Sequence, residues 1–139
     1  MRLTVIAASI TVSGLAAAAL ADTSAAIGNW KHPDNGAIVA FYDCDGDLCA
    51  KIATPSDPAL KDDKNPDPAK RATPLTGLVV LNHAKKSDDT TWKGDLYNTE
   101  DGRTYSGYAT LLAPDKLQLK GCALVVFCKS VLFTKAPGS

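Results

Sequence analysis

Turn-forming residues recur about every 8–12 positions along this chain and leave only short stretches between them, which confines it to an all-β fold. Pro33-Asp34-Asn35-Gly36 is a hairpin signal, with Asn-Gly as the expected two-residue turn. Asp45-Gly46, Glu100-Asp101-Gly102 and Pro114-Asp115 are turns of the same chemistry. Between them the pattern predicts strands at 28–31, 37–44, 48–53, 77–83, 91–98, 103–113, 117–123 and 126–135. On 91–98, Trp92, Gly94 and Leu96 share one face, and Lys93, Asp95 and Tyr97 the other. On 103–113, Tyr105, Gly107, Ala109 and Leu111 alternate with Thr104, Ser106, Tyr108 and Thr110. Glycine inside a strand suits tight coiling. The expectation is one domain over 22–139, a small antiparallel barrel or sandwich of about seven or eight strands.

The first residues are of another kind. Met1-Arg2 opens a run of Ala, Val, Ile and Leu that ends in Ala19-Leu20-Ala21 before Asp22. A charged start, an apolar run and small residues before the cut form a secretory signal over 1–21. Ser9, Thr11, Ser13 and Gly14 make the run weak as a membrane anchor. The expected location is therefore periplasmic or secreted, with no membrane span once the signal is cleaved. Without Arg2, 14 basic side chains face 15 acidic ones. So even a balance gives no electrostatic footprint for nucleic acid or for an anionic membrane.

Export bears on Cys44, Cys49, Cys122 and Cys128, an even set that reads as two disulfides in an oxidising compartment. Three pairings are possible. Turn chemistry and proximity favour Cys44–Cys49 and Cys122–Cys128, whereas a bridge from Cys44 to Cys122 would close a longer loop and stabilise more. Zinc is disfavoured because no Cys-x-x-Cys pair occurs.

Residues 54–74 break the strand pattern. They hold five of the eight prolines, four acidic and four basic side chains, and centre on Lys61-Asp62-Asp63-Lys64-Asn65-Pro66-Asp67-Pro68. A loop this long is functional or simply solvated. Asp67 to Arg71 has the makings of one helical turn.

Taken in order, Gly28-Asn29-Trp30, Pro-Asp-Asn-Gly, Leu48-Cys49-Ala50-Lys51-Ile52, Asn65-Pro66-Asp67-Pro68, Pro74-Leu75-Thr76-Gly77-Leu78, Gly102-Arg103-Thr104-Tyr105-Ser106 and Gly121-Cys122…Cys128-Lys129-Ser130 carry a resemblance. The chain resembles the exported bacterial family called domain of unknown function 2147. That resemblance implies a small lipocalin-like antiparallel barrel and leaves the biochemical role open. Ala50 and Thr73 depart from the pattern, standing where Gly and Arg are expected. Gly28-Asn29-Trp30 is also similar to the opening Gly-x-Trp of lipocalins. This implies structural roles for Gly28 and Trp30, with the indole plugging the closed end under Lys135 or Lys129.

No catalytic constellation stands out. His32 and His83 lie in no motif, and no nucleophile elbow or phosphate loop occurs. Asp43-Cys44-Asp45-Gly46-Asp47 lacks the ligands of a calcium loop. The expectation is a monomeric binding module rather than an enzyme, with no cofactor and no metal, taking a small apolar or amphipathic ligand. The alternative is an interaction module that presents 54–74 to an envelope protein, such as a hydrolase it inhibits. Candidate ligand contacts at the barrel mouth are Tyr42, Lys51, Trp92, Tyr97, Tyr105 and Tyr108 from strands. Asn65, Asp67 and Arg71 join them from the loop.

Overall fold

Eight antiparallel strands follow one another around a closed barrel in the computed structural model, which describes Ser9, Thr23 and residues 25–124 and 126–138. Apart from Ser9, residues 1–21, where a signal is expected, lie outside the described residues. The strands are β1 (Gly28–Lys31), β2 (Ile38–Cys44), β3 (Asp47–Thr54), β4 (Val79–Lys86), β5 (Thr91–Asn98), β6 (Arg103–Ala113), β7 (Lys116–Ala123) and β8 (Phe127–Lys135). β8 returns to β1 through Trp30↔Lys135 and Lys31↔Thr134, which closes the cylinder.

Turn chemistry sets the hairpins. Asp45 and Gly46 both take positive φ, 58° and 88°, as a tight two-residue turn whose twist matches the strands requires. Asn35-Gly36 behaves differently from the two-residue turn expected of it. His32 and Ala37 close a four-residue loop over Pro33–Gly36, with Gly36 at φ 71° as its left-handed last residue. Pro33 fixes the start of that loop, and the Asn35 side chain accepts from the Ala37 N–H. β4 extends past His83 to Lys86 because the ladder absorbs a bulge between Asn82 and Lys85, with His83 at φ 41°.

Inward residues of alternating parity fill one end. Trp30, Phe41, Leu48, Leu81, Trp92 and Leu117 are all buried there or against that core. This end is bounded by the 45–46, 87–90 and 114–115 turns and by both ends of the barrel sequence. Trp30 donates its indole N–H to the Ala26 carbonyl at 2.9 Å. The Lys135 ammonium stands 4.8 Å from the Trp30 ring centroid and also donates to the Ile27 carbonyl. Gly94, Gly107 and Gly121 form a register-matched row across β5, β6 and β7. A Cβ on Gly94 would lie 2.7 Å from the Ala84 Cα, and one on Gly107 3.2 Å from a Leu81 methyl, so this part of the row is where β4 and its bulge press on the sheet.

Both disulfides are local. Cys44–Cys49 runs diagonally across the β2–β3 hairpin, and Cys122–Cys128 joins directly paired residues of β7 and β8. Neither ties distant strands. Replacing either pair with alanine is expected to cost about 2 kcal/mol and leave a folded barrel, read as a shifted urea midpoint with an unchanged slope. Loss of the cooperative transition would count against that.

Candidate functional site

The end opposite the Trp30 plug is open. There the 32–37 loop, the 55–78 connection, the 99–102 turn and the facing ends of β7 and β8 at Ala123 and Val126 surround a cavity of about 900 Å³. Ile52, Val80, Leu96, Leu119, Val131 and Phe133 form its apolar wall. Lys61, Asp63, Lys64, Glu100, Asp101 and Lys129 stand at its rim. The wall is apolar because side chains such as Leu96, between Asp95 and Tyr97, and Leu119, between Gln118 and Lys120, are the inward positions of alternating strands. Space remains in part because Gly121 presents no side chain there.

The long connection folds over this mouth as a lid. Lys61 bridges Pro74, Asp62 N–H donates to the Thr73 carbonyl, and Leu75 N–H donates to the Leu60 carbonyl, giving the loop a strand-like neck. Leu75 is buried beneath it. Beyond the neck the loop bonds to itself. Asn65 Oδ1 accepts from the Asp67 N–H, Asp67 Oδ1 from the Ala69 N–H, and Arg71 Nε donates to the Asn65 carbonyl. Pro68–Lys70 is a single 3-10 turn capped by Asp67.

Asp62 fastens the lid to the barrel. It is 1% exposed, the one buried acidic side chain among the described residues. Its carboxylate accepts from the Tyr97 hydroxyl at 2.6 Å and from Asn65 Nδ2 at 2.8 Å. A second contact lies at the β5–β6 turn. An added Cβ on Gly102 would fall 1.8 Å from the Lys64 carbonyl oxygen, so only glycine admits the lid there.

A closed eight-stranded meander with one plugged end, one open end and a lid is the shape of a lipocalin. The family model described as an uncharacterised protein conserved in bacteria, DUF2147, matches residues 28–135. The chain belongs to the DUF2147 family. Among solved structures, the DUF2147 barrel is similar to a protein described as "Protein HP1028 from the human pathogen Helicobacter pylori belongs to the lipocalin family". The TM-score is 0.72 at 21% identity, covering 81% of this chain and 83% of that one. At that identity the likeness speaks for fold alone. No curated protein matches the chain.

The DUF2147 barrel brings two of the nine candidate contacts to its cavity. Tyr105 lines the wall, and its hydroxyl donates to Asp101 at the rim. This bond holds the Asp101 carboxyl below its ordinary value and raises the Tyr105 phenol. Tyr97 borders the cavity and also a smaller recess of about 390 Å³ under the lid, which Asn65, Asp62, Lys70, Asn82 and Asp95 share. Asp67 and Arg71 border neither and serve the lid's own hydrogen bonds.

The remaining four stand elsewhere. Tyr42 and Lys51 stack on each other, the ammonium 5.4 Å from the ring centroid, on the face away from inward Phe41. Tyr108 lies between Lys93 and Lys120, at 5.7 and 5.0 Å. Trp92 is buried in the core toward the plugged end, with Lys86 over its ring and no partner for its indole N–H among the described residues. Asp62, the lid anchor, was hidden within a charge run. Its one sequence cue is the hydroxyl-bearing Tyr97 on the polar face of β5.

Burial first, and then the bond to Asp62, push the Tyr97 phenol up from 10.0 to about 12. The folded chain therefore holds this proton where the unfolded chain has released it. The contribution is complete below pH 10 and disappears as pH rises toward about 12. Unfolding midpoints followed from neutral pH to about pH 12 should show this loss, and Tyr97→Phe should remove its share of the slope. Identical profiles for the two proteins would contradict the assignment.

Proposed function

We propose that this DUF2147 protein is an exported, periplasmic or secreted binding module that takes a small apolar or amphipathic ligand into the mouth of its barrel. The cavity carries this reading. At about 900 Å³ it lies within the range of small-molecule sites, roughly 300–1,000 Å³. An apolar wall beneath a charged rim suits a molecule with a hydrocarbon body and a polar end. The two local disulfides fit an oxidising compartment, and the 1–21 signal supplies the route.

Native mass spectrometry of protein purified from the periplasm tests it directly, with co-purifying mass as the expected result. In solution, 1-anilinonaphthalene-8-sulfonate should saturate one site. Leu119→Trp, which fills the cavity from its wall, should weaken that binding about tenfold while leaving the circular dichroism unchanged. An empty protein whose dye binding ignores Leu119→Trp would sink the proposal.

A further inference from the structure

The tip of the β7–β8 hairpin is an apolar lip on the cavity. Leu124 is 79% exposed, Val126 78% and Phe127 69%, the three most exposed large apolar side chains among the described residues. Other such side chains, Leu112 and Leu132 among them, are less exposed and lie scattered over strands and loops. Val126 and Phe127 also line the mouth, so the exposed apolar tip adjoins the cavity. The Cys122–Cys128 bridge clamps the base of this tip and holds it in place.

Charge is distributed to match. The chain is neutral in sum, yet Lys116–Lys135 contains Lys116, Lys120, Lys129 and Lys135 and no acidic residue. Lys129 is exposed two positions from Phe127, and Lys120 lies on the paired strand. The acidic side chains of the mouth, Asp63, Glu100 and Asp101, belong to other loops.

We infer that this hairpin docks the barrel mouth on an anionic lipid bilayer, with Leu124, Val126 and Phe127 entering the acyl boundary and Lys129 meeting headgroup phosphates. Three side chains are far too little surface for a stable protein partner, which needs about 1,200 Å² in all. A bilayer asks for no complementary shape. A few apolar side chains backed by lysines bind it weakly and reversibly. The inference rests on the binding-module reading for its purpose, because docking sets the cavity against the layer from which an amphipathic ligand would enter.

Co-sedimentation of the purified chain with vesicles tests it, using phosphatidylcholine alone and phosphatidylcholine mixed with phosphatidylglycerol. Capture is expected on the mixed vesicles and should weaken as salt is raised. Val126→Ser with Phe127→Ser should reduce capture about tenfold, with an unchanged unfolding midpoint because both residues are exposed. Lys129→Gln should reduce it on the mixed vesicles alone. Leu119→Trp should leave capture intact, so a failed cavity and a failed dock are separable results. No capture by either vesicle, or equal capture of the Val126→Ser, Phe127→Ser protein, overturns the inference. So does a dimer in solution, without vesicle binding, that the same double variant abolishes, since the tip would then serve self-association.

Discussion

Gly94→Ala is expected to destabilise the barrel by about 3 kcal/mol, near the upper end for overpacking and a large share of a small domain's stability. The new Cβ would meet the Ala84 Cα and Asn82 carbonyl oxygen at 2.7 Å and the Ala84 nitrogen at 2.9 Å. All three are backbone atoms flanking the His83 bulge, so no rotamer change relieves the clash. Gly107→Ala should cost less, because its 2.6 Å contact is the Leu96 Cβ and the next is a leucine methyl at 3.2 Å. Gly121→Ala should be mildest of the three, since its first neighbour is the far end of Leu96 at 3.2 Å. Urea midpoints for the three variants should fall in that order. Equal midpoints would mean that the row is not what lets β4 approach.

The second large effect concerns the lid. Asp62→Ala leaves the half-buried Tyr97 hydroxyl and Asn65 amide without their shared acceptor, a loss of about 2 kcal/mol for the pair. The loss falls on the loop rather than on the barrel. The loop carries its own reporter, since Lys61, Lys64, Lys70 and Arg71 are exposed trypsin sites held by the closed lid. Limited trypsinolysis of Asp62→Ala should cut within 61–71 at least about tenfold faster, by the ratio of about 1.4 kcal/mol per decade. The barrel core should stay intact on the gel. Unchanged cleavage would show that the neck hydrogen bonds alone keep the lid shut.

Why the strands could be read from sequence and the site only in part is a matter of which interactions are local. Asp45-Gly46 dictates its hairpin with two residues, and that hairpin brings Cys44 within 5.9 Å of Cys49, Cα to Cα. β5 and β6 declare their faces by alternation, and the register Leu96↔Tyr105 and Trp92↔Ala109 pairs those faces as written. The site obeys longer-range rules. Alternation already separates Tyr108 from Tyr105, yet on β2 nothing local tells whether Phe41 or Tyr42 faces inward, because both are aromatic. Trp92 shares a face with Leu96, but distance along β5 puts it at the plugged end and Leu96 at the cavity. Asp62 is the clearest case. Beside Lys61, Asp63 and Lys64 it reads as one more solvated charge, and only the fold of the neck turns it onto Tyr97.

The way the cylinder closes has a consequence for solution behaviour. β1 has four residues and meets β8 through two register pairs, the shortest join in the ladder. Beyond those pairs it is gripped by the Lys135 ammonium, on the Ile27 carbonyl and the Trp30 ring, and by the Ala136 N–H, which donates to the Asn29 carbonyl. If that grip is released, the molecule becomes an open sheet with two bare edges, the form in which β proteins recruit one another. Aggregation of this protein should therefore begin at the edge Lys135 guards, far from the apolar tip and independently of any lipid.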